Sequence, residues 1–234
     1  FDKKELKCIL SAPETLTTFI YEISGVASEY ESFKSEDILE ALDHQQHCLE
    51  SLRLEHHLLF DNVAHYPYAV KSLARFSALK QLKIGSLFLR GFVNSSKCCT
   101  ELVADALPSS LESLHITHFE HAGPFLIHGL TGILPQVHKR FPALTTLTLE
   151  GDFYHTQEGY CDHGGEDSET YFADLGTLVR AAEAASIDLT VLDAAWQWLG
   201  AGVERGWGWD EEFQWADGVS RLNRYMPARL FELP

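Results

Sequence analysis

The chain has 234 residues, 45% apolar and 22% charged, which supports a packed core and excludes a disordered segment. Eighteen Lys and Arg stand against 34 Asp and Glu, and the formal charge of −16 opposes nucleic acid and anionic lipid as partners. No apolar run reaches the roughly eighteen residues of a membrane-spanning helix, and the cysteines (Cys8, Cys48, Cys98, Cys99, Cys161) are odd in number without paired spacing, which points to a reducing compartment, cytosol or nucleus.

Taken in chain order, one phrase keeps returning. Leu16-Thr17-Thr18-Phe19-Ile20-Tyr21 is a weak copy of L-x-x-L-x-L. Ile38, Leu39 and Leu42 have helical spacing and lead into Leu49-Glu50-Ser51-Leu52-Arg53-Leu54. Val70, Leu73 and Phe76 predict a second helix before Leu79-Lys80-Gln81-Leu82-Lys83-Ile84. Leu102, Val103, Ala106 and Leu107 precede Leu111-Glu112-Ser113-Leu114-His115-Ile116, and Leu130, Ile133, Leu134 and Val137 precede Leu144-Thr145-Thr146-Leu147-Thr148-Leu149. Pro108 and Pro142 stop the helix and turn the chain into the strand. Last, Leu175, Leu178, Val179 and Ala182 lead into Leu189-Thr190-Val191-Leu192-Asp193-Ala194. The copies start at 16, 49, 79, 111, 144 and 189, in steps of 33, 30, 32, 33 and 45. Such a period marks a repeat architecture, each unit one helix, a turn and one short strand.

Helices alternating with strands also build doubly wound sheets and closed barrels, but those strands read as continuous apolar runs. Here the leucines alternate with Ser51, Arg53 and Glu55, with Gln81 and Lys83, with Ser113, His115 and Thr117, and with Thr146, Thr148 and Glu150. One face is apolar and the other polar, copy after copy. The expected fold is α/β: a leucine-rich-repeat solenoid, or horseshoe, with a curved parallel sheet, helices on the convex side and the polar strand face lining the concave side. Six strands are expected near residues 19, 52, 82, 114, 147 and 192. Residues 1–195 form the repeats and 196–234 an atypical C-terminal cap, because all five tryptophans (Trp196, Trp198, Trp207, Trp209, Trp215) cluster there.

Cys48-Leu49-Glu50-Ser51-Leu52-Arg53-Leu54 and Leu107-Pro108-Ser109-Ser110-Leu111-Glu112-Ser113-Leu114 resemble the leucine-rich-repeat region of fungal F-box-type proteins over about residues 5–195. The resemblance implies an intracellular substrate-recognition part of a ubiquitin-ligase receptor, in which a preceding F-box docks on the ligase adaptor and the repeats hold the substrate. The F-box itself is not visible in this chain, which starts Phe1-Asp2-Lys3-Lys4 without an initiator Met and reads as a fragment.

Other features tempt a chemical reading. The long step holds an insertion near 152–168 with His155, Cys161, His163, Asp152 and Asp162, ligand types without the spacing of a zinc site. A polar, glycine-containing loop of this kind is expected to be exposed and more mobile than the repeats. His56, His57, His115, His118 and His121 read as scattered surface histidines. Gly200-Ala201-Gly202-Val203-Glu204-Arg205-Gly206 has one residue too many for a dinucleotide loop. No nucleophile elbow, phosphate loop, zinc-protease helix or calcium loop occurs, so neither enzyme activity nor a cofactor or metal is expected. The alternative is an α/β enzyme with an unrecognised active site at the strand ends.

The expected function is therefore protein or peptide binding, with no nucleic acid and no membrane as partner. The residue between the second and third leucines projects from the middle of the polar face. Through the copies that column reads Ile20, Arg53, Lys83, His115, Thr148 and Asp193, flanked by Ser51, Gln81, Ser113 and Thr146. Arg53, Lys83 and His115 on successive rungs suit an acidic or phosphorylated segment. Reversing Arg53 and Lys83 is then expected to abolish binding without lowering the melting temperature.

Overall fold

Each of the six copies becomes one strand. The computed structural model describes residues 3–24, 35–57, 70, 72–89, 105–118, 123–151 and 168–193. In chain order these hold α1 (Lys3–Ser11), β1 (Thr18–Ser24), α2 (Ser35–Ala41), β2 (Ser51–His57), β3 (Gln81–Gly85), α3 (Ser86–Leu89), β4 (Ser113–Thr117), α4 (Gly123–Ile133), α5 (Val137–Arg140), β5 (Thr146–Gly151), α6 (Ser168–Ala184) and β6 (Asp188–Asp193). The strands form a single all-parallel sheet in the order β1-β2-β3-β4-β5-β6. Sequential order is what a repeat produces, since every crossover returns the chain one strand along.

Register follows the leucines. Phe19, Leu52, Leu82, Leu114, Leu147 and Leu189 lie side by side, and Tyr21, Leu54, Ile84, Ile116, Leu149 and Val191 form the next row. The eight central members, Leu52, Leu54, Leu82, Ile84, Leu114, Ile116, Leu147 and Leu149, are at most 2% exposed. They share one core with Leu6 and Leu10 of α1, Ile38 and Leu39 of α2, Leu126 to Ile133 of α4 and Leu175 to Ala182 of α6. Backbone hydrogen bonds hold the phase before each strand begins. The carbonyl of Thr17 accepts from Glu50 and Ser51, that of Glu50 from Lys80 and Gln81, that of Lys80 from Glu112 and Ser113, and that of Glu112 from Thr145 and Thr146, at 2.8–3.3 Å. A slip of one residue would break this ladder and turn every leucine outward.

Between the first two copies a buried side chain adds a second tie. Gln45 is buried; its Oε1 accepts from the Leu16 N–H at 3.0 Å, and its Nε2 donates to the carbonyls of Pro13 at 3.1 Å and Leu10 at 3.3 Å. One amide thus satisfies three backbone groups that a buried turn would otherwise leave unpaired.

Two expectations fail. Val70, Leu73 and Phe76 are buried, but residues 72–80 run through turns rather than a helix. Their N–H groups are taken by other partners: Val70 donates to Phe88 O at 2.7 Å and Leu73 to Ala106 O at 2.6 Å, while Ser72 Oγ accepts from Ala74 N. Side-chain and neighbouring-copy acceptors have outcompeted the helical pattern. In the sixth copy the frame lies three residues earlier than the leucine spacing implies. Leu189 pairs with Leu147 and Val191 with Leu149, so Ser186, at φ 57°, stands where the first leucine of the phrase would be. The strand signal is the strict alternation Ile187, Leu189, Val191, all buried, which outweighs one more leucine at 192.

Residues 152–167, with the candidate ligands of the insertion, and residues 194–234, with the tryptophan cluster, lie outside the described residues. No helix among the described residues is long and apolar enough to cross a membrane.

Candidate functional site: the polar face of the sheet

Period-two alternation puts three rows of side chains on the face opposite the core. The first is Thr18, Ser51, Gln81, Ser113, Thr146 and Asp188; the second is Ile20, Arg53, Lys83, His115, Thr148 and Thr190. All eight residues expected to meet a partner fall in these rows, and none is buried. Asp193 does not belong to them: it pairs with Gly151, and Thr190 takes its place beside Thr148 because of the shifted sixth frame. His118 follows β4 at φ 52°, and its carbonyl accepts from Ser86 Oγ.

The third row changes the electrostatics. Glu22 pairs in register with Glu55, Gly85 with Thr117, and Glu150 with Leu192. Each glutamate stands two residues beyond a second-row position, on the same side. Arg53 Nη2 meets Glu22 Oε1 at 2.9 Å, and Arg53 Nε also contacts Glu55. Lys83 Nζ lies 3.0 Å from Glu55 Oε1 and 3.5 Å from Glu150 Oε2, and His115 Nε2 lies 2.8 Å from the same Glu150 oxygen. The cations therefore do not stand free, as the leucine frame alone implied. They alternate with carboxylates across five strands.

Burial sorts these contacts by strength. The Glu55 side chain is 3% exposed and carries two cations, a satisfied buried charge whose removal from either partner is expensive. Glu22 is 42% exposed, so its pairing with Arg53 is solvent-screened and exchangeable. Gly85 leaves its place in the third row to the Phe88 ring, whose Cδ2 would sit 3.4 Å from a Cβ there. Apolar cover at that point agrees with the burial of Glu55 and Thr117 on either side.

Glu150 is held at about 2, against an ordinary 4.5. The contact from His115 is the largest cause; partial burial works the other way, and the charges of Lys83 and His115 lower it further. The His115 contact is close but poorly aligned: Nε2 is buried without an in-line acceptor, so distance rather than hydrogen-bond geometry gives the pair its strength. Towards β5 and β6 the first two rows carry the hydroxyls of Thr146, Thr148 and Thr190, with Asp188 their one charged member.

Catalytic geometry is sparse. Ser77 Oγ lies 3.0 Å from His47 Nδ1, but both are exposed in turns, and no carboxylate among the described residues orients the ring. Among the described residues no three His, Cys, Asp or Glu side chains are arranged to hold a metal ion. The chain matches no family model, no curated protein and no solved structure.

The leucine frame placed Glu55 and Glu150 on the polar face but not as counter-charges of Arg53, Lys83 and His115, and it left out Glu22. Their signal was available: Arg53-Leu54-Glu55 places opposite charges two residues apart, hence on one face of a strand.

Proposed function

We propose that this chain is a protein-binding module, built as a leucine-rich-repeat solenoid, whose polar sheet face meets the partner. One observation carries the reading: six parallel strands in unbroken register bury one face in a common core and leave the other accessible from Ser51 to Thr190. A sheet covered by helices on both faces, as in a doubly wound enzyme, offers no such surface. The hydroxyl and amide groups of Ser51, Gln81, Ser113, Thr146 and Thr148 can each donate and accept, which suits the backbone and polar side chains of a protein ligand.

An acidic or phosphorylated segment has one way in. It displaces the exposed Glu22 from Arg53 and takes over that guanidinium; Lys83 and the second side of Arg53 stay committed to Glu55. The narrower role, substrate recognition within an F-box ubiquitin-ligase receptor in the cytosol or nucleus, rests on the resemblance of the repeat phrases, and co-purification of a ligase adaptor with the full-length protein is its test.

The function itself is tested by capture. The protein and a variant carrying Ser113→Arg and Thr148→Arg are used as bait, and bound proteins are identified by mass spectrometry. Loss of the wild-type set at unchanged melting temperature is the expected result; retention of the same set by the variant removes the polar face as the binding surface.

A further inference from the structure

The polar face carries the opposite sign from the one its middle column suggests. Among the described residues its three rows hold four carboxylates, Glu22, Glu55, Glu150 and Asp188, against the two permanent cations Arg53 and Lys83. Arg53 is shared by Glu22 and Glu55, and Lys83 by Glu55 and Glu150, so two cations serve three carboxylates. Asp188 adds a fourth. Glu150, held at about 2, is ionised throughout the neutral range. With histidine counted neutral, the face is acidic.

The rest of the sequence does not supply the missing sign. The residues outside the described ones contain 17 Asp and Glu against 8 Lys and Arg, and the whole chain stands at −16. A second copy would bring the same acidic balance. Charge complementarity therefore favours a foreign basic surface over the chain's own segments and over another copy of it. Entry favours the same sign. An acidic ligand has to displace Glu22 from Arg53, whereas a basic one breaks no pair. A carboxylate offers about four acceptor sites, so Glu22, 42% exposed, can hold Arg53 and take a second cation. Asp188, on the last strand, is exposed as well.

We infer that the polar face receives a basic segment of a partner protein, which lies across the strands with Lys or Arg over Glu22 at one end and over Asp188 at the other. The inference rests on the reading that this face meets the partner, and it adds the ligand's sign. Glu22 and Asp188 lie on the first and last of six strands. Five strand spacings of ~4.8 Å separate them by about 24 Å, so the segment is extended over roughly seven residues or more. Between its two ends it crosses the hydroxyls of Ser113, Thr148 and Thr190, which accept from and donate to its backbone.

The test titrates the full chain, at physiological ionic strength, with end-blocked peptides of about ten residues that alternate serine with lysine or serine with glutamate. Amide chemical shifts are followed at Ser113, Thr148 and Thr190 on the face, and at Glu40 of α2 and Glu183 of α6, exposed acidic positions on helices. The lysine peptide is expected to move the face amides and to bind ~10-fold or more tightly than the glutamate peptide. Glu22→Gln combined with Asp188→Asn should weaken it ~5-fold, the size of two exposed ion pairs. Equal or tighter binding of the glutamate peptide on the face overturns the inference and leaves the face as the binding surface. Shifts as large at Glu40 and Glu183 as on the face overturn it too, because attraction to an acidic chain then explains them, and so does undiminished binding by the double variant. If neither peptide moves the face, the variant carrying Ser113→Arg and Thr148→Arg separates the two failures. Loss of the captured set in that variant overturns the basic ligand alone; retention of the set overturns the reading of the face as well.

Discussion

The two halves of the polar face are built differently. Over β1 to β3 every charged side chain of the second and third rows is engaged: Arg53 with Glu22 and Glu55, Lys83 with Glu55 and Glu150. Over β5 and β6 the second row carries only the hydroxyls of Thr148 and Thr190. The same repeat geometry thus produces one half in which polar groups hold the sheet together and another whose second row is hydroxyls without a buried counter-charge. Residue type alone does not separate them. Burial of the counter-charge does.

The sharpest way to break this comparison is to reverse Arg53 and Lys83 together. Both cations of the buried Glu55 become repulsive neighbours, and stability should fall by ~3–5 kcal/mol or more, read from the denaturant midpoint. Arginine at Thr146 and Thr148, partly exposed positions with no cation to take from a buried carboxylate, should shift it by about 1 kcal/mol or less. Equal effects would mean that Glu55 is not held as the structure shows. Reversal of Arg53 and Lys83 therefore cannot serve as a clean binding test, contrary to the expectation from sequence.

The legible part of the fold was the part governed by periodicity. Strand positions β1 to β5, their parallel pairing and the eight buried leucine and isoleucine positions follow from spacing, because one slipped residue would expose all of them. What periodicity could not rank was competition. At Val70, Leu73 and Phe76 a three-residue spacing fits a helix and a turn-rich segment alike, and Ser72 with the neighbouring carbonyls decided for turns. In the sixth copy, leucines at 189 and 192 offered two frames, and the alternation from Ile187 to Val191 chose the earlier one. The candidate site was half legible. Its rows were placed, but a column read alone hid the pairing of its cations with the glutamates one row further along β1, β2 and β5.

Both halves rest on one apolar side, and Leu114 lies beneath their boundary, 2% exposed. Leu114→Ala should cost about 2–5 kcal/mol and lower both halves in a single transition. Two separated transitions would show instead that the halves unfold independently.

Acid titration measures how far the charged half extends. The folded value of Glu150 lies below its unfolded one, so its contribution is present above pH 4.5 and is lost as pH falls towards 2. At 18% exposure the effect is at most ~3 kcal/mol, and screening reduces it. Glu150→Gln should flatten the stability profile in that window and leave it unchanged above. A variant that keeps the full slope assigns it to other carboxylates.

The smallest expected effect defines where the network stops. Lys80 and Glu50 sit at the rim, before their strands, 3.1 Å apart and 44% and 52% exposed. Their backbones belong to the ladder, but their side chains meet water, so the ion pair competes with hydration and with the entropy of two long side chains. Lys80→Ala should change stability by less than ~0.5 kcal/mol and leave partner capture intact. The backbone bond from Lys80 N to the Glu50 carbonyl survives the substitution, which is why the register should too. A loss of 2 kcal/mol or more, ~4-fold the expected limit, would place the rim inside the cooperative network and extend the charged half beyond the three rows.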